Sequence, residues 1–397
     1  MIPTLRKQFN EAYTETKYQQ YLNYIDTLYS NAVNFRIAET PLFITEKFKN
    51  QMLEVGEYVC NQIQSPHFNA ITDKSLPSLD ITPNENGLPE CIVMDFAVAH
   101  NAQNEIVPAL IELQGFPSLF AFEILQDEAL RSSYTIPENV TPYLNGYTKE
   151  KYLTHLSEII KGDNKGHTVL LEILPQQQKT RIDFYCTEEY LNIPIVCITE
   201  IFKKDKSLFY ERNGVAIKID RIYNRIVADE LKNQPKEIKE KAAILYSDIN
   251  VSWVTHPNHF FRISKYLLPF LNHANVPKTQ FLQQIQGIPS DLEKHILKPL
   301  FSFAGQGVII DVQAADFVTI KDPENWIMQE KVNYAPCIKT TDGFAKAEIR
   351  LFYFWDSSTQ KYIATLNLSR LSKGKMIGVN YNQAATWVGG SLAYFEK

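Results

Sequence analysis

The chain has 397 residues, of which 45% are hydrophobic and 21% charged, a composition typical of a folded protein of roughly two or three domains. The formal net charge is −5, and lysine and arginine are scattered among aspartate and glutamate. This pattern argues against a surface for nucleic acid or anionic membrane and favours small-molecule partners. No apolar run approaches the ~20 residues that span a bilayer, and the first residues lack a signal-peptide core, so we expect a soluble, cytoplasmic protein.

The N-terminal part is predicted to contain helices followed by a β-hairpin. Up to about residue 70, apolar and aromatic residues such as Tyr18 and Tyr21 recur at helical spacing. An irregular segment rich in proline, asparagine and glycine follows. The apolar runs 91–100 (CIVMDFAVAH) and 106–116 (IVPALIELQGF) flank a polar turn, which predicts a hairpin. A helix is expected next, at about 118–131.

The middle of the chain predicts a small parallel αβ layer. Segments 167–174 and 193–202 read as strands separated by a helix. Segment 215–226 adds a third strand and a following helix. A charged helix near 231–243 completes this part.

The C-terminal part is predicted to be rich in strands. A helix over 264–274 precedes a strand, a loop and a second strand at 295–311 (HILKPLFSFAGQGVIID). Further strands are expected at 326–332, 347–356 and 362–372.

A lysine interrupts the apolar stretch at 295–311. Lys298 is either a surface lysine whose aliphatic chain covers apolar residues or a buried cation that meets an anion, because an unpaired buried ammonium is costly. The following loop, Ser302 to Gly307, contains Gly305, Gln306 and Gly307. Glycine lets backbone amides approach a ligand closely.

Two common nucleotide folds are excluded by this loop. The chain has no GxxxxGK[ST] sequence, and the pair Gly305 and Gly307 lacks the third glycine of a dinucleotide fingerprint. Instead, KPLFSFAGQGV resembles the phosphate-covering strand and loop of the ATP-grasp superfamily. The resemblance implies that Lys298, Ser302 and the loop residues bind ATP phosphates.

Two further segments resemble parts of the same nucleotide site. SKYLLPFL resembles a segment of the permuted ATP-grasp branch that supplies a second phosphate-binding lysine, here Lys265; the alternative is a solvated helix lysine. WIMQEKV resembles the hinge that holds adenine and ribose. The hinge residues would be Gln329, Glu330, Lys331 and Val332, and a plain core strand that ends in charges is the alternative.

The metal site resembles that of the glutathionylspermidine synthase-like group, which is circularly permuted. MDF and IELQGFPS match its segments, and the resemblance implies that Asp95, Glu112 and Gln114 bind Mg²⁺. Alternate strand residues share a face, so Glu112 and Gln114 would lie together, with Asp95 on the paired strand. A solvated strand face is the alternative. The sequence departs from the group at Gln114, where asparagine is usual, and at Val93, where arginine is usual.

Three arginines complete the predicted site. VAIKIDRIYNRI resembles the segment that follows the Rossmann-like layer in permuted ATP-grasp proteins, so Asp220, Tyr223 and Arg225 would line the acceptor side of the cleft. A structural ion pair is the alternative for Asp220 and Arg225. Arg350 and Arg370 lie on strands where the superfamily presents charged groups to the transferring phosphate, and the guanidinium fork suits phosphate oxygens.

The resemblance covers about residues 90–397 and implies an α/β (α+β) protein with a circularly permuted ATP-grasp fold. It divides the chain into a helical N-terminal region (1–75), a part of the ATP-grasp domain with the metal ligands (76–160), a Rossmann-like pre-ATP-grasp layer (161–235) and a nucleotide-binding region (236–397). Oligomeric state stays open.

The implied function is an ATP-dependent carbon–nitrogen ligase that uses ATP and Mg²⁺ to join a carboxylate to an amine, both unidentified. One alternative is an ATP-binding regulatory or scaffold protein without ligase activity. Another, a sugar or dinucleotide enzyme, rests only on 167–226.

The sequence HPNH is a separate candidate. His256 and His259 have a spacing that suits a metal on a helix, but Pro257 disfavours a helix interior and no third ligand is evident. A loop or capping role is therefore favoured.

Overall fold

The structure is a computed structural model that describes the chain except residues 80, 86, 164–165, 303–304, 376, 378–381 and 383–384. In the described part, no helix combines the length and apolar character needed to cross a bilayer. The α-helices are α1 (Pro3–Ala12), α2 (Glu15–Leu28), α3 (Glu46–Ile63), α4 (Phe68–Thr72), α5 (Phe122–Ser133), α6 (Lys149–Lys161), α7 (Arg181–Leu191), α8 (Ala228–Lys232), α9 (Lys236–Ala242), α10 (His259–Arg262) and α11 (Asp316–Thr319).

The strands in the described part of the chain form five sheets. In chain order they are β1 (Leu42–Ile44), β2 (Cys91–His100), β3 (Ile106–Gln114), β4 (Val140–Thr141), β5 (Thr168–Glu172), β6 (Ile195–Cys197), β7 (Ile201–Lys204), β8 (Ser207–Arg212), β9 (Val215–Ile219), β10 (Arg221–Asn224), β11 (Ser252–Val254), β12 (Thr279–Phe281), β13 (His295–Pro299), β14 (Trp326–Glu330), β15 (Ile338–Thr340), β16 (Gly343–Asp356), β17 (Lys361–Ser372), β18 (Gly389–Ser391) and β19 (Ala393–Glu396).

A six-stranded antiparallel sheet is the centre of the molecule. Its order is β18-β17-β16-β2-β3, and β15 pairs with β16. Side chains alternate across a strand, so Ile92 and Met94 pack on one face with α3, whereas Cys91 and Val93 pack on the other face with α5 and α6. Both faces are covered, which explains why β2 is apolar along nearly its whole length.

The predicted hairpin is present as β2 and β3, with a β-bulge after Asp95. Beside its β3 edge lies a three-stranded sheet of order β12-β14-β13. The N–H of Leu110 on β3 donates to the carbonyl of Asn275, in the segment that precedes β12, at 2.8 Å. The candidate site lies where these two sheets meet, since Lys298 on β13 donates to the carbonyl of Ile111 on β3.

A four-stranded parallel sheet of order β11-β10-β5-β6 forms a separate layer. Helix α7 connects β5 to β6, as the strand–helix–strand pattern predicts. Two strand predictions here are wrong. Segment 215–226 is two strands in different sheets, since β9 joins β8 and β10 joins β5. Segment 193–202 likewise divides into β6 and β7.

The N-terminal region is mostly helical, as predicted, but it also contributes β1. This strand pairs in parallel with β19, and β4 completes their sheet. The predicted helix over 264–274 is instead a short 3₁₀ helix, Lys265–Phe270, with Pro269 inside it. Proline removes a backbone donor and clashes with the preceding turn, which disfavours a regular α-helix here.

Candidate functional site

The site lies on the face of the six-stranded sheet that also packs against α5 and α6. Along β2 this face changes from apolar to charged, from Cys91 and Val93 to Asp95. Strand pairing places Glu112 on one side of Asp95 and Arg350 on the other. Residues far apart in the sequence therefore meet because their strands are neighbours.

Two arginines hold the carboxylate of Asp95. Arg350 donates to both oxygens, at 2.6 Å to Oδ1 and 2.7 Å to Oδ2, and Arg370 donates to Oδ2 at 2.7 Å. Burial disfavours the charged form of Asp95, but the two guanidinium groups outweigh it and hold the pKa below the ordinary value. Arg350 also donates to the hydroxyl of Ser118 at 3.1 Å.

The two predicted phosphate-binding lysines converge near Glu112. Lys265 Nζ lies 3.1 Å from Glu112 Oε1 and donates to the carbonyl of Ser302 at 2.7 Å. Lys298 Nζ donates to the carbonyl of Ile111 at 3.0 Å. Both lysines are buried, so neither is the solvated or surface lysine of the alternative interpretations.

Burial perturbs the charges of this cluster. It lowers the pKa of Lys298 to about 8, against the attraction of Glu112. Burial, the largest single effect, opposes ionisation of Glu112 as well, but Lys265, Lys298 and Arg350 together outweigh it, so the pKa of Glu112 is lowered. A lysine held in this way gains most from an additional anion, because the anion offsets the cost of burying its charge.

The predicted magnesium ligands lie together. Asp95 is opposite Glu112, and Val93 is opposite Gln114. Gln114 is buried, and its Oε1 has no hydrogen-bond partner in the part of the chain that the structure describes. A buried amide oxygen without a donor, beside two carboxylates, fits the hard oxygen ligands that Mg²⁺ prefers. Among the described residues, no group of three or more His, Cys, Asp or Glu residues could hold a metal.

Sequence reasoning missed Glu348 and Tyr334. Glu348 lies two residues before Arg350 on β16, and its Oε2 is 2.9 Å from Arg370. The hydroxyl of Tyr334 donates to Glu348. Burial raises the pKa of Glu348. The sequence could have indicated Glu348, because side chains two residues apart in a strand lie on the same face. In AEIRLFYFWD, Glu348 and Arg350 therefore share a strand face.

The residues of segment 215–226 predicted to line the acceptor side do not all lie in the charged cluster around Asp95 and Glu112. Arg225 is buried, lies 3.5 Å from Asp183 and donates to the carbonyl of Ser118. It therefore forms the structural ion pair of the alternative interpretation and reaches the site only through the backbone of Ser118. Asp220 is partly exposed and paired with Lys218 at 2.6 Å, and Tyr223 is in the apolar core.

The predicted adenine hinge is the end of β14. Gln329 is fully buried and donates to the hydroxyl of Thr279 at 3.1 Å, whereas its Oε1 has no partner among the described residues. Glu330, Lys331 and Val332 line an open cavity of about 470 Å³. The backbone N–H of Lys331 donates to the carbonyl of Lys294 at 2.7 Å.

The predicted phosphate loop follows β13. Ser302 is half-buried and its hydroxyl donates to the carbonyl of Pro299 at 3.4 Å, whereas Gly305, Gln306 and Gly307 are exposed. Both glycines have φ of +73°, the left-handed region that glycine adopts without strain. Within the predicted loop, positions 303–304 lie outside the described residues.

A larger cavity, of about 720 Å³, is separate from the charged cluster. Aromatic side chains form much of its wall: Phe261, Tyr266, Phe270, Phe281 and Phe301. No residue of the predicted site lines it.

The HPNH histidines have a loop role. His256 accepts the backbone N–H of Asn258 through Nδ1 at 3.2 Å, and His259 begins α10. His259 lies 3.7 Å from Glu85, and burial lowers its pKa to about 4.

Comparison with known proteins identifies the fold class. No protein-family model matches the chain, and no curated protein does. Solved structures do match. One is a glutathione synthetase-like effector from Globodera pallida in its apo form, with a TM-score of 0.56 and 10% sequence identity over 95% of this chain and 96% of that chain. The chain therefore has a glutathione synthetase-like fold. At this identity the match describes the fold alone.

Proposed function

We propose that this protein is an ATP-dependent carboxylate–amine ligase with a circularly permuted ATP-grasp fold. The observation that carries the proposal is the convergence of Lys265 and Lys298, from two separate segments, near Glu112 where two sheets meet. Buried cations directed at one place suit the phosphates of a nucleotide, and the glutathione synthetase-like fold agrees with such chemistry.

The order of the strands supports the permutation. The hairpin with Asp95 and Glu112 precedes the lysines in the chain, yet β2 pairs with the C-terminal strand β16. The parallel sheet of β5, β6, β10 and β11 corresponds to the Rossmann-like pre-ATP-grasp layer in this proposal.

Each group has a role in the proposed reaction. The carboxylate substrate attacks the γ-phosphorus of ATP, and ADP leaves. The amine then attacks the carbonyl carbon of the acyl phosphate, loses a proton and displaces inorganic phosphate, which forms the amide bond. Lys265 and Lys298 bind phosphate oxygens, Arg350 and Arg370 neutralise charge on the transferring group, and the hinge from Gln329 to Val332 holds the base. Asp95, Glu112 and Gln114 would hold Mg²⁺, which supplies charge neutralisation at the phosphates. Positioning and electrostatics are the main contributions in phosphoryl transfer.

A second candidate is an ATP-binding protein that does not ligate. The observation that favours it is that both oxygens of Asp95 are already bonded to arginines. Tight ATP binding without turnover, under conditions that include candidate acids and amines, would favour this function over the ligase.

The experiment that tests the ligase is Glu112→Gln. We expect it to remove most of the magnesium-dependent ATP turnover measured with pools of carboxylic acids and amines. Binding of adenosine at the hinge should persist, because it needs no metal. Glu105→Gln, at an exposed position in the turn of the same hairpin, is the matched control. Wild-type turnover and magnesium dependence in Glu112→Gln would refute the proposed metal site.

A further inference from the structure

Arg350 and Arg370 contact the carboxylate of Asp95 in the geometry with which arginines bind an anionic ligand. The guanidinium of Arg350 grips both carboxylate oxygens in a fork, and Arg370 adds a third hydrogen bond. The same fork binds substrate carboxylates and phosphates in proteins. Asp95 thus occupies the position in which Arg350 and Arg370 would hold an anionic ligand.

The charges of the cluster favour an external anion. Its four cationic side chains are Lys265, Lys298, Arg350 and Arg370, against the three carboxylates Asp95, Glu112 and Glu348. The formal sum is 4 − 3 = +1, and it becomes +2 when the charge of Asp95 is removed or neutralised. In addition, Arg370 Nε is buried without a partner among the described residues.

A divalent cation would be a second partner for Asp95. Asp95 lies opposite Glu112, and Gln114, two residues further along the same strand face, has a buried oxygen without a partner among the described residues. A divalent cation held by Glu112 and Gln114 would attract the carboxylate of Asp95 and compete with the guanidinium groups for it.

We propose that Asp95 acts as a gate for an anion subsite formed by Arg350 and Arg370. When no divalent cation is bound, the carboxylate of Asp95 fills this subsite, and a divalent cation beside Glu112 releases it. The subsite takes a carboxylate or phosphate group. This rests on the proposed function, in which that group belongs to the acid substrate or to the transferring phosphate. Cation and anion then bind with positive coupling, and the coupling is reciprocal.

The test measures anion binding rather than turnover. Inorganic phosphate and succinate are titrated separately into the full-length protein by calorimetry, first with EDTA and then with saturating Mg²⁺. For the wild type we expect Mg²⁺ to raise the affinity by about tenfold or more. The probe that binds more tightly identifies phosphate or carboxylate as the occupant. Equal affinity with and without Mg²⁺ would overturn the proposal.

Asp95→Asn tests the gate directly. This variant should bind the better probe in EDTA about tenfold or more tightly than the wild type, and Mg²⁺ should add nothing. The gain should disappear in Asp95→Asn/Arg350→Met. A gain that survives the second substitution would place the anion elsewhere and refute the subsite.

Two controls separate this inference from the ligase proposal. Asp127→Asn removes a carboxylate that pairs with Arg131 at 2.8 Å outside the site, and it should leave anion binding unchanged. Binding of an ATP analogue to Lys298→Met measures the nucleotide site independently. If that analogue does not bind even to the wild type while the Mg²⁺-dependent anion coupling persists, the ligase proposal fails and the gate stands.

Discussion

At the scale of single residues, Lys298 shows why a lysine is placed in an apolar strand. Its side chain is buried and its described hydrogen-bond partner is a carbonyl of the neighbouring sheet. Burial lowers its pKa to about 8. Burial of this charge is costly, and an anionic ligand would offset the cost.

This gives a prediction for the pH dependence of nucleotide affinity. An anionic ligand binds the charged form of Lys298, so its contribution is fully present below pH 8. The contribution declines as the pH rises above 8, since binding must then be coupled to uptake of a proton. We expect the affinity of a non-hydrolysable ATP analogue to fall by up to about tenfold per pH unit above 8, measured by calorimetry from pH 7.5 to 9.5.

Lys298→Met provides the comparison. This substitution should weaken binding of the ATP analogue by about ten- to a hundredfold at pH 7.5, because a charge-assisted contact is lost. The difference in affinity between Lys298→Met and the wild type should become smaller as the pH rises. Lys236→Met, at an exposed lysine on α9, should behave like wild type. Parallel pH profiles for wild type and Lys298→Met would contradict the prediction.

At the scale of elements, strand register brings the site together. Each strand contributes alternate residues to one face, so β2 and β16 present Asp95 and Arg350 side by side. The connection that follows β3 is also fixed by contacts with another part of the chain. Gly115 accepts a hydrogen bond from Thr255 and donates one to the carbonyl of Ile263, both at 2.8 Å.

Gly115→Ala should therefore destabilise the protein. A Cβ at this position would lie 2.5 Å from the carbonyl oxygen of His259 and 2.8 Å from Cβ of Ile263. Overpacking of this kind costs about 1 to 3 kcal/mol, which urea denaturation can measure. Gly390→Ala is the matched control, since its nearest heavy atom would be at 3.7 Å, an ordinary contact. Equal stability of the two variants would show that the backbone at 115 relaxes freely.

At the scale of the whole molecule, the N-terminal region shares its core with the rest of the chain. Strand β1 pairs with β19 near the other end of the sequence. Tyr21 on α2 is fully buried and its hydroxyl accepts a hydrogen bond from Gln126 on α5 at 2.9 Å. The predicted segment 1–75 is thus joined to the remainder by packing and by a sheet.

We therefore expect Tyr21→Ala to destabilise the entire protein by about 3 kcal/mol or more. Far-UV circular dichroism and tryptophan fluorescence should shift together, because all four tryptophans lie beyond residue 250. Leu28→Ala, at an exposed position on the same helix, should change little. An unshifted fluorescence transition in Tyr21→Ala would mean that the N-terminal region unfolds on its own.

Local patterns in the sequence determined the hairpin, the strand–helix–strand unit and the candidate lysines, because alternation of side chains and the residues around Lys298 are short-range signals. They could not separate β9 from β10, since only Asp220 lies between the two strands and it is their partners in space that differ. Nor could they identify Glu348 and Tyr334 as neighbours of Asp95. The tertiary structure decided these points. Pairing of β16 with β2 brings together Asp95 and Arg350, which are 255 residues apart, and contact between the two sheets joins Ile111 and Lys298, which are 187 residues apart.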